Sequence, residues 1–134
     1  MKIYLNSNRA VGSNEEPYII SELGSNHNGD MKIAKKLIEA SKNVGADCVK
    51  FQSWSKESIF SKKKYEDNFF LNDDYRNRED FTLEEIVEKY SISQEELAEM
   101  HDYSKKLGID FTSTPFSRKE VDFLVDELDV PFLK

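Results

Sequence analysis

Short apolar runs alternate with longer segments of helical period along this chain, and turn residues separate the two. Residues 18–23 (YIISEL), 47–52 (DCVKFQ) and 109–114 (IDFTST) are such runs, short and rich in β-branched or aromatic residues, as buried strands are. The segments between them carry helix signals. Asp30 is a good N-cap for a helix over 31–44, in which Ile33, Leu37, Ile38, Ser41 and Val44 share a face, and Gly45 supplies the stop. Ser93 with Glu96 makes a capping box that opens a helix to Leu107, ended by Gly108. Ser117 with Glu120 makes another, and there Val121, Leu124, Val125 and Leu128 share a face. Residues 131–134 (PFLK) begin a fourth strand. Such alternation of strand and helix builds a parallel sheet.

Two stretches break the period. Residues 1–17 read as an N-terminal cap or hairpin ahead of the α/β unit at 18–134. Residues 53–80 form a polar stretch longer than ordinary βα connections, which marks a functional loop or lid, with a short helix over 82–90 attached to it. Trp54, just past the second strand, either lines the mouth of a pocket or covers the core.

Charge and cysteine content narrow the possible roles. A net charge of −7 disfavours nucleic acid or an anionic membrane as partner, so a bound anion has to be held by local lysines. The single cysteine, Cys48, excludes an internal disulfide and reads as a plain buried thiol inside an apolar run. The N-terminus lacks the apolar core of a signal peptide, and no stretch approaches the roughly 18 apolar residues of a membrane span. The expected location is the cytoplasm.

In a parallel βα sheet, ligands bind outside the carboxyl ends of the strands. Side chains alternate faces along a strand, so Val49 and Phe51 point to the covering helices while Cys48, Lys50 and Gln52 point the other way. A lysine there needs an anion: either a ligand or a neighbouring carboxylate. Glu22, at the end of YIISEL, is either that structural partner or a group that orients water, metal or substrate. Thr112 and Thr114 share a face, and Thr114 leads into the helix start at Ser117, where hydroxyls either meet a phosphate or merely cap. Lys134 places a second lysine at a strand end, and two converging lysines would suit a phosphorylated or carboxylated substrate. His27 lacks metal-ligand partners at a suitable spacing and reads as structural.

The motifs ISELGSNHNGD, GADCVKFQS, GIDFTSTPFS and VPFLK, in that order, resemble the successive strand motifs of the N-acetylneuraminate (sialic acid) synthases and their legionaminate and pseudaminate relatives. The resemblance implies the N-terminal half of a (β/α)8 TIM barrel, with about four strands and three helices, since a closed barrel takes ~250 residues. It implies condensation of phosphoenolpyruvate with an N-acylated hexosamine such as N-acetylmannosamine, giving a nonulosonic acid and phosphate. Carried over onto these motifs, Glu22 orients water, Lys50 and Gln52 hold phosphoenolpyruvate, and Thr114 and Lys134 add further contacts to it. Asn72 and Asn77 are candidates for an asparagine that contacts the sugar, and Asn26, His27 and Asn28 shape a loop. A divalent metal, Mn2+ or Mg2+, is implied, with its ligands expected on later strands, together with a homodimer. The 134-residue chain alone is therefore expected to be inactive. Two alternatives remain: another phosphoenolpyruvate-dependent aldol-type synthase acting on a sugar phosphate, and an inactive, self-associating half-barrel.

Overall fold

The computed structural model describes residues 1–6, 9–67 and 82–134. Strands β1 (Lys2–Asn6) and β2 (Arg9–Gly12) pair antiparallel as a separate hairpin. Strands β3 (Ile20–Gly24), β4 (Cys48–Ser53) and β5 (Asp110–Pro115) form a parallel sheet with β4 in the centre. The register sets side chains in rows: Ile20, Cys48 and Asp110, then Glu22, Lys50 and Thr112, with Gln52 beside Thr114 in the next.

One face of the sheet carries the core. Val49, Phe51 and Phe111 are at most 3% exposed, and the two phenyl rings stack with centroids 5.6 Å apart. Helix α1 (Met31–Asn43) covers them, with Asp30 accepting from the Lys32 and Ile33 amides at 2.7 and 3.3 Å. Its buried stripe is Ala34, Ile38 and Ser41, whereas Ile33 and Val44 of the expected face stand exposed. Ile38 and Ser41 are buried as expected, Ser41 Oγ lying 2.8 Å from Ser21 Oγ on β3, and the small Ala34 joins them in place of Ile33. Val44, expected inside the helix, is its C-cap.

The excursion after β4 holds helices α2 (Lys56–Ile59), α3 (Lys62–Glu66) and α4 (Leu83–Tyr90). Trp54, Leu83 and Val87 are buried together there, with Ile59, Phe60, Tyr65 and Tyr90 packed around them, as a cluster apart from the main core. Lys56 forms ion pairs with Glu84 and Glu88, which tie α2 to α4. Helix α5 (Gln94–Leu107) then opens on the Ser93–Glu96 capping box and ends on Gly108 in the left-handed region. It buries Leu97, Met100 and Ser104, and a Lys35–Glu99 bridge of 2.6 Å links it to α1.

Helix α6 (Arg118–Asp122) opens on the Ser117–Glu120 capping box and runs into a π-helical turn, Phe123–Glu127. The extra residue per turn shifts the phase. Leu124 and Leu128 are buried as expected, but Val125 is turned out to 46% exposure. No strand forms over 131–134, contrary to expectation. Pro131 has no N–H to give a ladder, and the Phe132 carbonyl accepts instead from Thr112 Oγ1 at 2.5 Å. Among the described residues there are thus three parallel strands, a hairpin and six α-helices, rather than four strands and three helices.

The hairpin is fastened at the amino-terminal end of the sheet. The Asp47 carboxylate accepts from Arg9 at 3.2 and 3.3 Å and from the Ile19 amide at 2.7 Å. Tyr18, expected to begin the first strand, precedes it and donates its hydroxyl to Asp110 Oδ2 at 2.5 Å. Burial, reinforced by that bond, raises the Tyr18 pKa far above its ordinary value, so the phenol stays protonated. No helix among the described residues is long and apolar enough to cross a membrane.

Candidate functional site

The face of the sheet away from the helices becomes polar toward its carboxyl end. Its lowest row holds Ile20, Cys48 and Asp110; burial pushes the Cys48 thiol up to about 12, which leaves it an unreactive packing group. The next row brings Glu22, Lys50 and Thr112 side by side on three adjacent strands. Lys50 and Glu22 form an ion pair, with the lysine side chain 12% exposed and the carboxylate 51%. The cation is therefore sunk in the sheet while its partner reaches solvent. Glu22 is thus the carboxylate neighbour of Lys50.

Gly24 shows how tightly the upper row converges. A Cβ at that position would stand 3.7 Å from Gln52 Nε2 and 3.8 Å from Glu22 Oε1, so the amide and the carboxylate border one small volume. Thr114 lies opposite Gln52 in the ladder, half-buried. The structure thus gathers Glu22, Lys50, Gln52 and Thr114 at one sheet end. Lys134 is exposed in a stretch without strand structure, and among the described residues no hydrogen bond or ion pair joins it to that group. Asn72 and Asn77 lie outside the described residues. Thr112, noted in the sequence only for its face, belongs to the lysine row, and parity along β5 is the signal that places it there.

The loop after β3 forms one wall of this end. His27 is buried, its ring centroid 6.0 Å from that of Phe51, and its Nδ1 accepts from the Gly29 amide at 3.0 Å. That bond requires an unprotonated Nδ1, so the proton of the neutral ring sits on Nε2. Through Nδ1 His27 thus shapes the loop, while its Nε2 is buried without a hydrogen-bond partner among the described residues. Trp54 donates from Nε1 to Ser25 Oγ at 3.2 Å and is buried, so it covers the excursion's cluster and braces the same loop. Gly29, at φ +73°, packs so closely on the Lys89 carbonyl that no Cβ fits.

Burial holds the His27 pKa below its ordinary value, partly opposed by the charge of Glu96. A histidine whose folded pKa is depressed makes folding stability fall as pH drops below the unfolded value of about 6.5, because the unfolded chain takes the proton first. Stability in urea at pH 5.5 should therefore be lower than at pH 7, and H27N, whose amide oxygen can accept from Gly29, should lose this part of the difference. An equal pH difference in both proteins would contradict the assignment.

Among the described residues, no group of three His, Cys, Asp or Glu is placed to hold a metal ion. Glu22 is engaged by Lys50, and the His27 Nδ1 by Gly29, which leaves too few donors for an ion. These residues alone do not fit a metal centre.

The chain resembles known proteins in sequence and in fold. The chain is 34% identical over its whole length to the N-acetylneuraminate-9-phosphate synthase of Mus musculus, covering 36% of that protein. It is 34% identical over 121 residues to the N,N'-diacetyllegionaminic acid synthase of Legionella pneumophila, covering 90% of this chain and 33% of that one. The chain therefore spans about a third of the length of the curated relatives it matches. Its fold superposes with a TM-score of 0.77 on the N-acetylneuraminic acid synthetase of Leptospira borgpetersenii, at 26% identity, over 99% of this chain and 40% of that one. The NeuB family model matches residues 37–134, from the middle of α1 through the Lys50 and Thr114 strands to the last residue, and the chain belongs to the NeuB family.

Proposed function

We propose that this chain carries the phosphoenolpyruvate-binding strands of a nonulosonate synthase, the first strands of a (β/α)8 barrel. The supporting observation is the half-sunken Lys50 cation beside Gln52 and Thr114 at the carboxyl end of a parallel sheet. The reaction joins C3 of phosphoenolpyruvate to the aldehyde carbon of an open-chain N-acylated hexosamine. Water then adds at C2 and phosphate leaves, giving the 2-keto nonulosonic acid.

Lys50 meets the ligand's negative charge, the Gln52 amide and Thr114 hydroxyl donate hydrogen bonds to its oxygens, and Lys134 adds a second cation. A bound trianion competes with Glu22 for Lys50. The carboxylate so released is free to orient the water and accept its proton. In this reading a divalent metal, Mn2+ or Mg2+, would be held by residues of later barrel strands and would supply a Lewis acid for the aldehyde. Asn72 or Asn77 contacts the sugar, and the protein is a cytoplasmic homodimer.

A second reading keeps the chemistry and takes a sugar phosphate as acceptor, as the name of the Mus musculus relative suggests. Parallel assays with N-acetylmannosamine and its 6-phosphate separate the two. The 134-residue chain is expected to bind phosphoenolpyruvate in calorimetry but to form no nonulosonate when manganese and either sugar are added. Product formation would overturn the inactivity, and lack of phosphoenolpyruvate binding would overturn the site.

A further inference from the structure

Phe116 is left unexplained by the site described above. It is 43% exposed and, with Tyr4 of the hairpin, one of two exposed aromatic side chains among the described residues. It lies two residues beyond Thr114, in step with the Thr112–Thr114 series, and past the end of β5, where the loops frame the ligand end of the sheet.

Its backbone is held from both sides. Pro115 precedes it, and the Glu120 carboxylate accepts from the Phe116 amide at 2.5 Å and from the Ser117 amide at 3.0 Å. The capping box that starts α6 thus also fixes the turn carrying the exposed ring. The other side chains gathered at this end, Glu22, Lys50, Gln52 and Thr114, are polar and suit the anionic ligand and its water. An N-acylated hexosamine brings one apolar part that they do not serve: the alkyl end of its acyl group.

We infer that Phe116 is a specificity-determining residue that packs its ring against the N-acyl group of the sugar acceptor. The inference rests on the proposed reaction and adds to it the residue that reads the acyl group. An aromatic side chain on a hydrogen-bonded turn has only two torsions of its own to order on binding, which favours its use in recognition.

The test measures binding of N-acetylmannosamine and of mannose, which has a hydroxyl in place of the acylamino group, to the 134-residue chain by saturation-transfer NMR. Phosphoenolpyruvate binding is followed in the same samples. In the F116A variant, the preference for N-acetylmannosamine over mannose should fall roughly tenfold. F116Y should restore it, and phosphoenolpyruvate affinity should not change. Phe116 is exposed, so a circular-dichroism melt matching the parent chain confirms that F116A folds. An unchanged preference in F116A, with phosphoenolpyruvate still bound, overturns the role of Phe116 and leaves the functional reading standing. If the parent chain binds phosphoenolpyruvate but shows no preference for the acylated sugar, the role of Phe116 is likewise overturned. If it binds neither ligand, both fail.

Discussion

Changing Lys50 to methionine is expected to reduce phosphoenolpyruvate affinity by roughly a hundredfold or more while leaving the fold intact. The side chain sits in the central strand and is only 12% exposed, so an unbranched apolar replacement fills nearly the same space. Its partner Glu22 is half exposed and can return to water once the lysine is gone. The reciprocal change behaves differently. E22Q leaves a sunken cation without its counter-charge and should lower stability by about 1–2 kcal/mol, a figure reduced from that of a fully buried pair because Glu22 reaches solvent. E22Q should still bind phosphoenolpyruvate, since the ligand itself then neutralises Lys50. Calorimetric titration and urea unfolding of both variants give two opposite patterns. A K50M protein that binds like the parent would remove Lys50 from the anion site.

Gly29→Ala should be the most disruptive small substitution in the loop beside the site, costing about 2–4 kcal/mol in urea unfolding. Two effects add there. The residue sits at φ +73°, which a side chain disfavours, and its Cβ would press on the backbone carbonyl of Lys89. Backbone cannot swing aside as a flexible side chain does, so either α4 or the loop must shift. Gly45 is the internal control. At φ +85° with nothing within 4 Å of a Cβ, G45A should pay only the conformational part, about 1 kcal/mol. If G29A proves no worse than G45A, the close approach of loop and α4 does not hold.

The sheet was legible from sequence because its signals are local. Each strand is a short apolar run, and the capping boxes at Ser93 and Ser117 and the glycine at 108 mark helix ends within a few residues. Alternation alone placed Lys50 and Gln52 on one face and Val49 and Phe51 on the other. It did not decide whether Glu22 was Lys50's partner, because pairing depends on register between strands about thirty residues apart in sequence. Helix faces were less secure. In α1 Ile38 and Ser41 are buried as the pattern had them, but Ala34 packs inward where Ile33 and Val44 were expected. Past Asp122 a π turn broke the 3.6-residue period that put Val125 inside. The fourth strand is a different case: 131–134 has no ladder, Pro131 lacks an N–H to give one, and the segment meets β5 through the Thr112 hydroxyl and the Phe132 carbonyl. Gly29 and Phe116 carried no pattern of their own, since close approach and exposure are properties of the folded chain.

The cluster of Trp54, Leu83 and Val87 gives the described part of the long connection between β4 and α5 a small interior of its own, so that it resembles a cassette. Substitutions within such an insert should add independently of those in the sheet, because they share few neighbours with it. Among the described residues, two ties on the β3 loop limit that independence: the indole of Trp54 on Ser25 and the backbone of Lys89 against Gly29. An exchange of this cassette between family members would therefore be felt at the anion-binding strands mainly through the loop after Glu22. Grafts that keep Trp54 and the α4 end at Lys89 should transfer cleanly, whereas those that move either would carry a change in the site with them.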